Sequence, residues 1–293
     1  YSNMNCADNN MKILTISTLY PNNRQPRHGI FVETRMRKLK QMYPDCQVTV
    51  IAPVPWFPFS ASAFGDYKQY AGVNTVEERF GIHIYHPRYL ALPGIGMYSN
   101  PWTLYLSLKN QVCNLLKQGM RFDIIDAHYI YPDAVAAVWL AQMLNLPITA
   151  TARGSDITEL PNYAWPRKRI CKALSKVDAA IGVCQALVDD MQSLQPLLKH
   201  PLTIRNGVDT QLFYPEPGRD ALRKQLGYNG FSLLSVGHLI ERKGHDKIIN
   251  LLAQLDDLQL HIAGDGPLEQ QLRTQANRMG LSHRVHFIGH QSQ

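Results

Sequence analysis

The chain has 293 residues, 45% of them apolar and 18% charged, with a formal charge of +7 at pH 7, enough apolar content to give each of two α/β domains its own core. The charge is uneven: 21 Lys and Arg stand against 13 Asp and Glu in residues 11–205, and nine against nine in residues 206–293. A basic half of this kind suits phosphorylated small molecules, anionic lipid or nucleic acid, or serves solubility alone, while the neutral half suits a different partner.

The first ten residues, YSNMNCADNN, have neither a basic start nor an apolar core and read as a polar tail, not a signal peptide. From Met11 onward, short β-rich runs alternate with segments of helical period. The runs are at 12–17, 47–53, 82–87, 123–128, 147–154, 179–184 and 201–207, and helices are predicted at about 29–43, 101–118, 133–145, 165–176 and 185–194. Such alternation predicts a doubly wound parallel sheet, covered on both faces. The aromatic stretch 54–70 reads as a loop over the core or a membrane or acceptor contact. After Asn206 and Gly207 comes a turn-rich joint, and the pattern restarts with strands at 231–237, 258–264 and 284–289 and helices near 243–256 and 267–280. The domains are therefore placed at 11–206 and 207–293, the second holding fewer strands than a complete doubly wound domain.

Two long uncharged stretches, Tyr89–Leu108 and Ala134–Ala152, raise the question of a membrane span. The first is broken by Pro93, Gly94, Gly96, Asn100 and Pro101, and the second divides at Asn145-Leu146-Pro147, so neither suits a bilayer. Five cysteines without paired spacing (Cys6, Cys46, Cys113, Cys171, Cys184) suggest free thiols in a reducing cytosol. No metal centre is expected: C-x-x-C and D-x-D are absent, and His83 and His86, like His283 and His286, sit three residues apart where a strand would turn them to opposite faces.

In an open parallel sheet, ligands bind where strands hand over to helices. Two such loops in the second half are glycine-marked, SVGHLIERKG (235–244) and IAGDGP (262–267). Glycine lets backbone amides approach a ligand, a helix N-terminus adds partial positive charge, and Lys243 adds a full one, a combination suited to phosphate or diphosphate. The same pattern also occurs in α/β loops that hold nothing. A dinucleotide is disfavoured, because the first strand is not followed by G-x-G-x-x-G.

Seven motifs in order carry a resemblance: YPNNRQPRHGIFVETRMRKL (20–39), DAHYIYPDAVAA (126–137), TARGSDI (151–157), IRNGVDTQLFYP (204–215), SVGHLIERKGHD (235–246), LHIAGDGPLEQQL (260–272) and VHFIGH (285–290). Together they resemble a family 4, GT-B-fold retaining glycosyltransferase of bacterial exopolysaccharide, capsule and teichuronic acid clusters. The resemblance implies two Rossmann-like domains facing a cleft, the first for an acceptor saccharide, lipid-linked or free, and the second for a UDP- or GDP-sugar. It implies no metal cofactor and a cytoplasmic location, peripheral at the inner face of the plasma membrane; no nucleic-acid partner is expected, because the basic residues come without a recognition helix or an RNP-like aromatic strand.

By the same resemblance, Gly29 belongs to the loop that approaches the donor diphosphate. His128 lies beside the transferred sugar, Arg153, Gly154 and Asp156 position acceptor or sugar hydroxyls, and Lys243 binds the diphosphate beside Gly237, Arg242, Gly264 and Gly266. An Arg153–Asp156 ion pair that only shapes its loop is the other expectation there. The family's companion arginine is replaced by His238, which stabilises a departing diphosphate less well than a guanidinium near pH 7. The acidic E-x7-E segment of the family is missing up to Gln293, so a fragment inactive on its own is expected. The helix at 165–176 carries Arg167, Lys168, Arg169, Lys172 and Lys176 and reads as lipid-facing or as a solvated face. A sugar-nucleotide 2-epimerase of the same fold and a non-catalytic nucleotide-sugar-binding subunit remain as alternatives.

Overall fold

The structure, a computed structural model, describes residues 10–56, 70–92, 94–228, 230–255 and 257–291. The polar tail at 1–9 and most of the aromatic stretch 54–70 lie outside the described residues. The chain divides into two compact units between Val208 and Asp209.

The first unit begins with β1 (Lys12–Ile16), α1 (Ile30–Met42), β2 (Gln47–Ile51), β3 (Val54–Trp56), β4 (Val76–Arg79), β5 (Ile82–Tyr85) and β6 (Arg88–Leu90). It continues with α2 (Gly96–Lys117), β7 (Ile124–His128), a π-turn at Ile130–Ala134, α3 (Val135–Leu144), β8 (Ile148–Ala152) and α4 (Ser155–Thr158). It closes with α5 (Ala164–Leu174), β9 (Ala179–Gly182), α6 (Gln185–Leu194) and β10 (Pro201–Thr203). Eight strands form one sheet in the order β10-β9-β8-β7-β1-β2-β5-β4, with β3 and β6 paired separately. Every neighbour in the large sheet is parallel except β4, which runs antiparallel to β5.

The inner strands carry mainly apolar side chains on both faces because helices cover both. Leu14, Ile16 and Ile51 join one cluster with Leu104 and Leu108 of α2 and the small residues of α3, and Val48, Val50, Ile82 and Ile84 join another with Val32 and Met36 of α1. Val32 and Met36 stand four apart and so share one side of α1. Asn145 ends α3 in the left-handed conformation (φ 52°), and Pro147 follows where a helix could not continue.

In the second unit, α7 (Arg219–Gln225) precedes β11 (Phe231–Val236), a 3-10 turn at Glu241–Lys243, α8 (His245–Leu252), β12 (Leu258–Ala263), α9 (Glu269–Arg278) and β13 (Val285–Gly289). The strands form a parallel sheet in the order β11-β12-β13. Leu260 and Ile262 of β12 are buried with Ile249, Leu252, Leu272 and Ala276, whereas Phe231, Leu234 and Val236 of β11 are 68%, 63% and 71% exposed and belong to no core.

The differences from expectation have local causes. β3 and β6 are too short to leave a periodic signal, and β4 (VEER) is polar on an edge. The strand expected over 147–154 stops at Ala152, because Gly154 (φ 147°) turns the chain. The helix expected from about residue 243 starts at His245: Gly244 is left-handed (φ 65°) and separates Lys243 from it. His83 is exposed while His86 is fully buried with Nδ1 2.9 Å from the Ala52 carbonyl, and His283 lies before β13 begins.

Candidate active site

In the first sheet the chain runs from β1 outward to β2 and from β7 outward in the opposite direction, so strand order reverses between β1 and β7. Open parallel sheets bind ligands beyond the carboxyl ends of strands at such a reversal. The two loops leaving that point, 17–29 and 129–134, are tied by Asp133, whose Oδ2 accepts from Thr18 N at 3.0 Å and Thr18 Oγ1 at 2.9 Å. Burial first, with the nearby Asp156 charge, pushes the Asp133 carboxyl up to about 8 against those two bonds. Gly29 closes the first loop with φ 67°, and a Cβ there would lie 2.1 Å from the Leu19 carbonyl oxygen. Glycine is therefore required by the loop's own backbone, and it delivers the N-terminus of α1, whose first amides lack intrahelical acceptors.

His128 ends β7 fully buried, and both its ring nitrogens are engaged. Nε2 stands 2.9 Å from Asp126 Oδ2, and Nδ1 stands 2.8 Å from Arg153 Nη2. A guanidinium only donates, so Nδ1 accepts and the proton sits on Nε2, donated to Asp126. Burial lowers the His128 pKa, with Arg153 and Arg35 acting the same way against Asp126. Burial would raise Asp126, but His128, Arg35 of α1 and the 3.0 Å bond from Thr149 Oγ1 hold its carboxyl well below the usual range. A neutral imidazole thus links a buried carboxylate to an arginine.

Arg153 follows β8, and its Nη1 donates to Asn206 Oδ1 at 2.8 Å while its guanidinium lies 4.9 Å from the Phe31 ring centre. Its pKa is lowered to about 10, by burial and then by Arg35, so it stays charged at neutral pH. The guanidinium is not paired with Asp156. Asp156, also fully buried, accepts instead from the backbone amides of Ile130 (2.7 Å), Gly154 (2.7 Å) and Arg153 (3.0 Å), and so fastens the loop after β8 to the loop after β7.

In the second unit the glycine-marked loops interlock. Gly237 N donates to the Ala263 carbonyl at 2.9 Å, Leu239 N to the Asp265 carbonyl at 2.8 Å, and Leu268 N to the Leu239 carbonyl at 3.1 Å. A Cβ on Gly264 would lie 2.0 Å from the Gly237 oxygen, and one on Gly266 would lie 2.6 Å from Leu239 backbone atoms. Lys243 lays its stem across Gly237, with methylene carbons 3.6–3.7 Å from where a Cβ would stand. Its ammonium pairs with no carboxylate among the described residues, whereas His238 Nδ1 lies 3.5 Å from Asp265 Oδ1, both side chains being more than half exposed. Arg242 is exposed beside them. Among the described residues, no cluster of three or more His, Cys, Asp or Glu could hold a metal ion.

Residues 29–212, well over half of the chain, match the family model described as Glycosyltransferase Family 4. The chain belongs to that family. The second unit of this family 4 chain matches the description Glycosyl transferases group 1 over residues 219–293. It is 28% identical over 269 residues to TuaC of Bacillus subtilis (strain 168), whose name places that protein in teichuronic acid biosynthesis as a glycosyltransferase, covering 89% of this chain and 67% of TuaC. It is 31% identical over 214 residues to mannosylfructose-phosphate synthase of Agrobacterium fabrum, covering 62% of this chain and 47% of that enzyme. Among solved structures it shares its fold with Anabaena HepE in complex with UDP (TM-score 0.65, 20% identity, 96% of this chain and 70% of that chain). It also shares its fold with sucrose-phosphate synthase from Thermosynechococcus elongatus (TM-score 0.70, 16% identity, 96% of this chain and 71% of that chain). The fold class is thus GT-B, with two Rossmann-like α/β units.

Sequence reasoning singled out His128, Arg153 and Asp156, and the structure brings them together in the first unit. It missed Asp126, Thr18, Asp133, Arg35 and Asn206. Asp126 alone had a usable signal, because residues two apart in a strand share a face with His128.

Proposed function

We propose that this family 4 chain carries a retaining glycosyltransferase that moves a sugar from a nucleotide-diphosphate sugar to a saccharide acceptor, lipid-linked, in cell-surface polysaccharide synthesis. The observation that carries the donor side is Lys243, held across Gly237 by interlocked glycine loops with its ammonium free of any carboxylate among the described residues. Retaining transfer builds positive charge on the sugar and negative charge on the leaving diphosphate. Lys243, His238 and the backbone amides of the loops stabilise the latter, each by about 3 kcal/mol where water is excluded.

His128 is not a proton carrier in this reading, since both its nitrogens are occupied. It fixes Arg153, which presents positive charge to sugar hydroxyls, and Asp156 fixes the loop that carries Arg153. The acceptor hydroxyl loses its proton to the departing phosphate. HepE and TuaC support the reading, one by the UDP bound to it and the other by its named role. Cytoplasmic placement, peripheral on the membrane, belongs to the same proposal.

Titration calorimetry with UDP and GDP on the chain and on Lys243→Ala tests the donor side. Saturable binding of one nucleotide, weakened about tenfold to a hundredfold in the variant, is expected from the loss of a charge-assisted hydrogen bond. No nucleotide binding, or equal binding by the variant, overturns the assignment. The anomeric configuration of any transferred sugar, read by NMR, decides retention.

A further inference from the structure

The first unit has a concavity whose lining is separate from His128, Arg153 and Asp156. α2, α3 and α5 flank an open cavity of about 490 Å³ lined by Tyr98, Trp102, Tyr105, Trp139, Trp165 and Arg169. Tyr98 and Trp102 are 55% and 56% exposed. The rings pack on one another, Tyr105 edge-on to Trp139 at 5.7 Å, Trp102 to Trp139 at 5.9 Å and Trp102 tilted against Tyr105 at 5.7 Å, so they form one aromatic cluster along the hollow. Arg169 lies 4.4 Å from the Trp165 ring centre and 5.8 Å from that of Trp139, and no carboxylate pairs with it among the described residues. Trp139 and Arg169 also border a much smaller depression lined by Gln142, Lys172 and Lys176, which continues the hollow along a basic edge with no acidic residue among its described lining.

We propose that this basin binds an acidic saccharide chain, one carrying uronate or similar anionic groups. The apolar C–H faces of pyranose rings pack on aromatic rings, while Arg169 receives a carboxylate in fork geometry and Lys172 and Lys176 receive further charges along the basic edge. A concave hollow lined by aromatic side chains suits discrete rings, whereas a bilayer would meet a convex apolar face. One hydrogen bond links the basin's rim to the loop after β7: Tyr131, three residues after His128, donates its hydroxyl to the carbonyl of Met97, next to Tyr98. As the place where an acidic acceptor lies, the proposal rests on the glycosyltransferase reading; the binding itself does not.

Tryptophan fluorescence and calorimetry on the full chain, without donor, test it with an oligogalacturonate hexamer, neutral maltohexaose, and vesicles of phosphatidylcholine and phosphatidylglycerol. The hexamer is expected to bind saturably and at least tenfold more tightly than maltohexaose. Trp102→Ala should weaken it at least tenfold, and Arg169→Gln should erase the preference for the acidic chain, while both variants bind UDP as the parent does. Equal binding of the two saccharides, binding of neither, an unaltered Trp102→Ala, or a response to vesicles alone overturns the proposal. Failure of UDP binding with the saccharide response intact would remove the transferase reading and leave the basin standing.

Discussion

Replacing Asp133 with asparagine probes the electrostatics at the strand-order reversal. The buried carboxyl is pushed up to about 8, whereas an unfolded aspartate titrates near about 3.9. Between those values the folded chain keeps a proton that the unfolded chain releases, so this group's contribution is complete below about pH 4 and is lost as pH rises towards the folded value. At about 1.4 kcal/mol per unit, the loss between pH 5 and pH 8 comes to about 3–4 kcal/mol, a large part of the stability of an ordinary domain. Asparagine has the shape of the protonated acid, keeps an oxygen for Thr18 and has no proton to lose. Urea unfolding of both proteins across that range should therefore show the difference in stability shifting by about 3–4 kcal/mol in favour of Asp133→Asn. The difference is the quantity to read, because His28, His86 and His128, all lowered chiefly by burial, impose the opposite slope on both proteins, losing stability as pH falls below their unfolded value. Curves that stay parallel within about 1 kcal/mol would mean that Asp133 is ionised in the folded chain, and the reasoning would fail.

Gly29→Ala should cost about 2–4 kcal/mol in chemical unfolding, since the new Cβ meets the Leu19 carbonyl at 2.1 Å in a left-handed backbone; an unchanged midpoint would refute the packing argument. Gly264→Ala should weaken UDP binding although Lys243 is untouched, because the Gly237 and Gly264 loops must separate; calorimetry at equal protein stability checks this. Arg153→Lys should leave His128 Nδ1 or Asn206 unpaired, as one ammonium cannot span both positions of the guanidinium fork, and lower any transfer rate more than nucleotide affinity. Of the four cysteines described, Cys184 is exposed and Cys46 is buried with its thiol pKa raised chiefly by burial, so iodoacetamide followed by mass spectrometry should find Cys184 labelled first and Cys46 last.

The strands that sit deepest were legible because their side chains face helices on both sides: β1, β2, β7, β8 and β12 announce themselves as short runs in which apolar and β-branched residues predominate. The charged edge strand β4 carries no such record, since water covers what helices cover elsewhere. Glycines at 29, 264 and 266 marked real steric demands, although the bodies they make room for are neighbouring backbones. Asp156 illustrates what a sequence withholds. Its composition signal was a carboxylate at a strand end, but the amide of Ile130 that claims it arrives from 26 positions away, and only the completed sheet decides that the carboxylate holds a loop. Asp133 was invisible for the same reason, its partner Thr18 lying 115 positions earlier.

β11 has a consequence for handling the second unit. It ends its sheet among the described residues, with one row of amides and carbonyls open and Phe231, Leu234 and Val236 uncovered beside them. Such an edge is a template for another strand. Residues 209–293 produced alone should self-associate through intermolecular β-pairing as concentration rises, and charged substitutions at Leu234 and Val236 should keep that piece monomeric without disturbing Leu260 and Ile262 on the neighbouring β12.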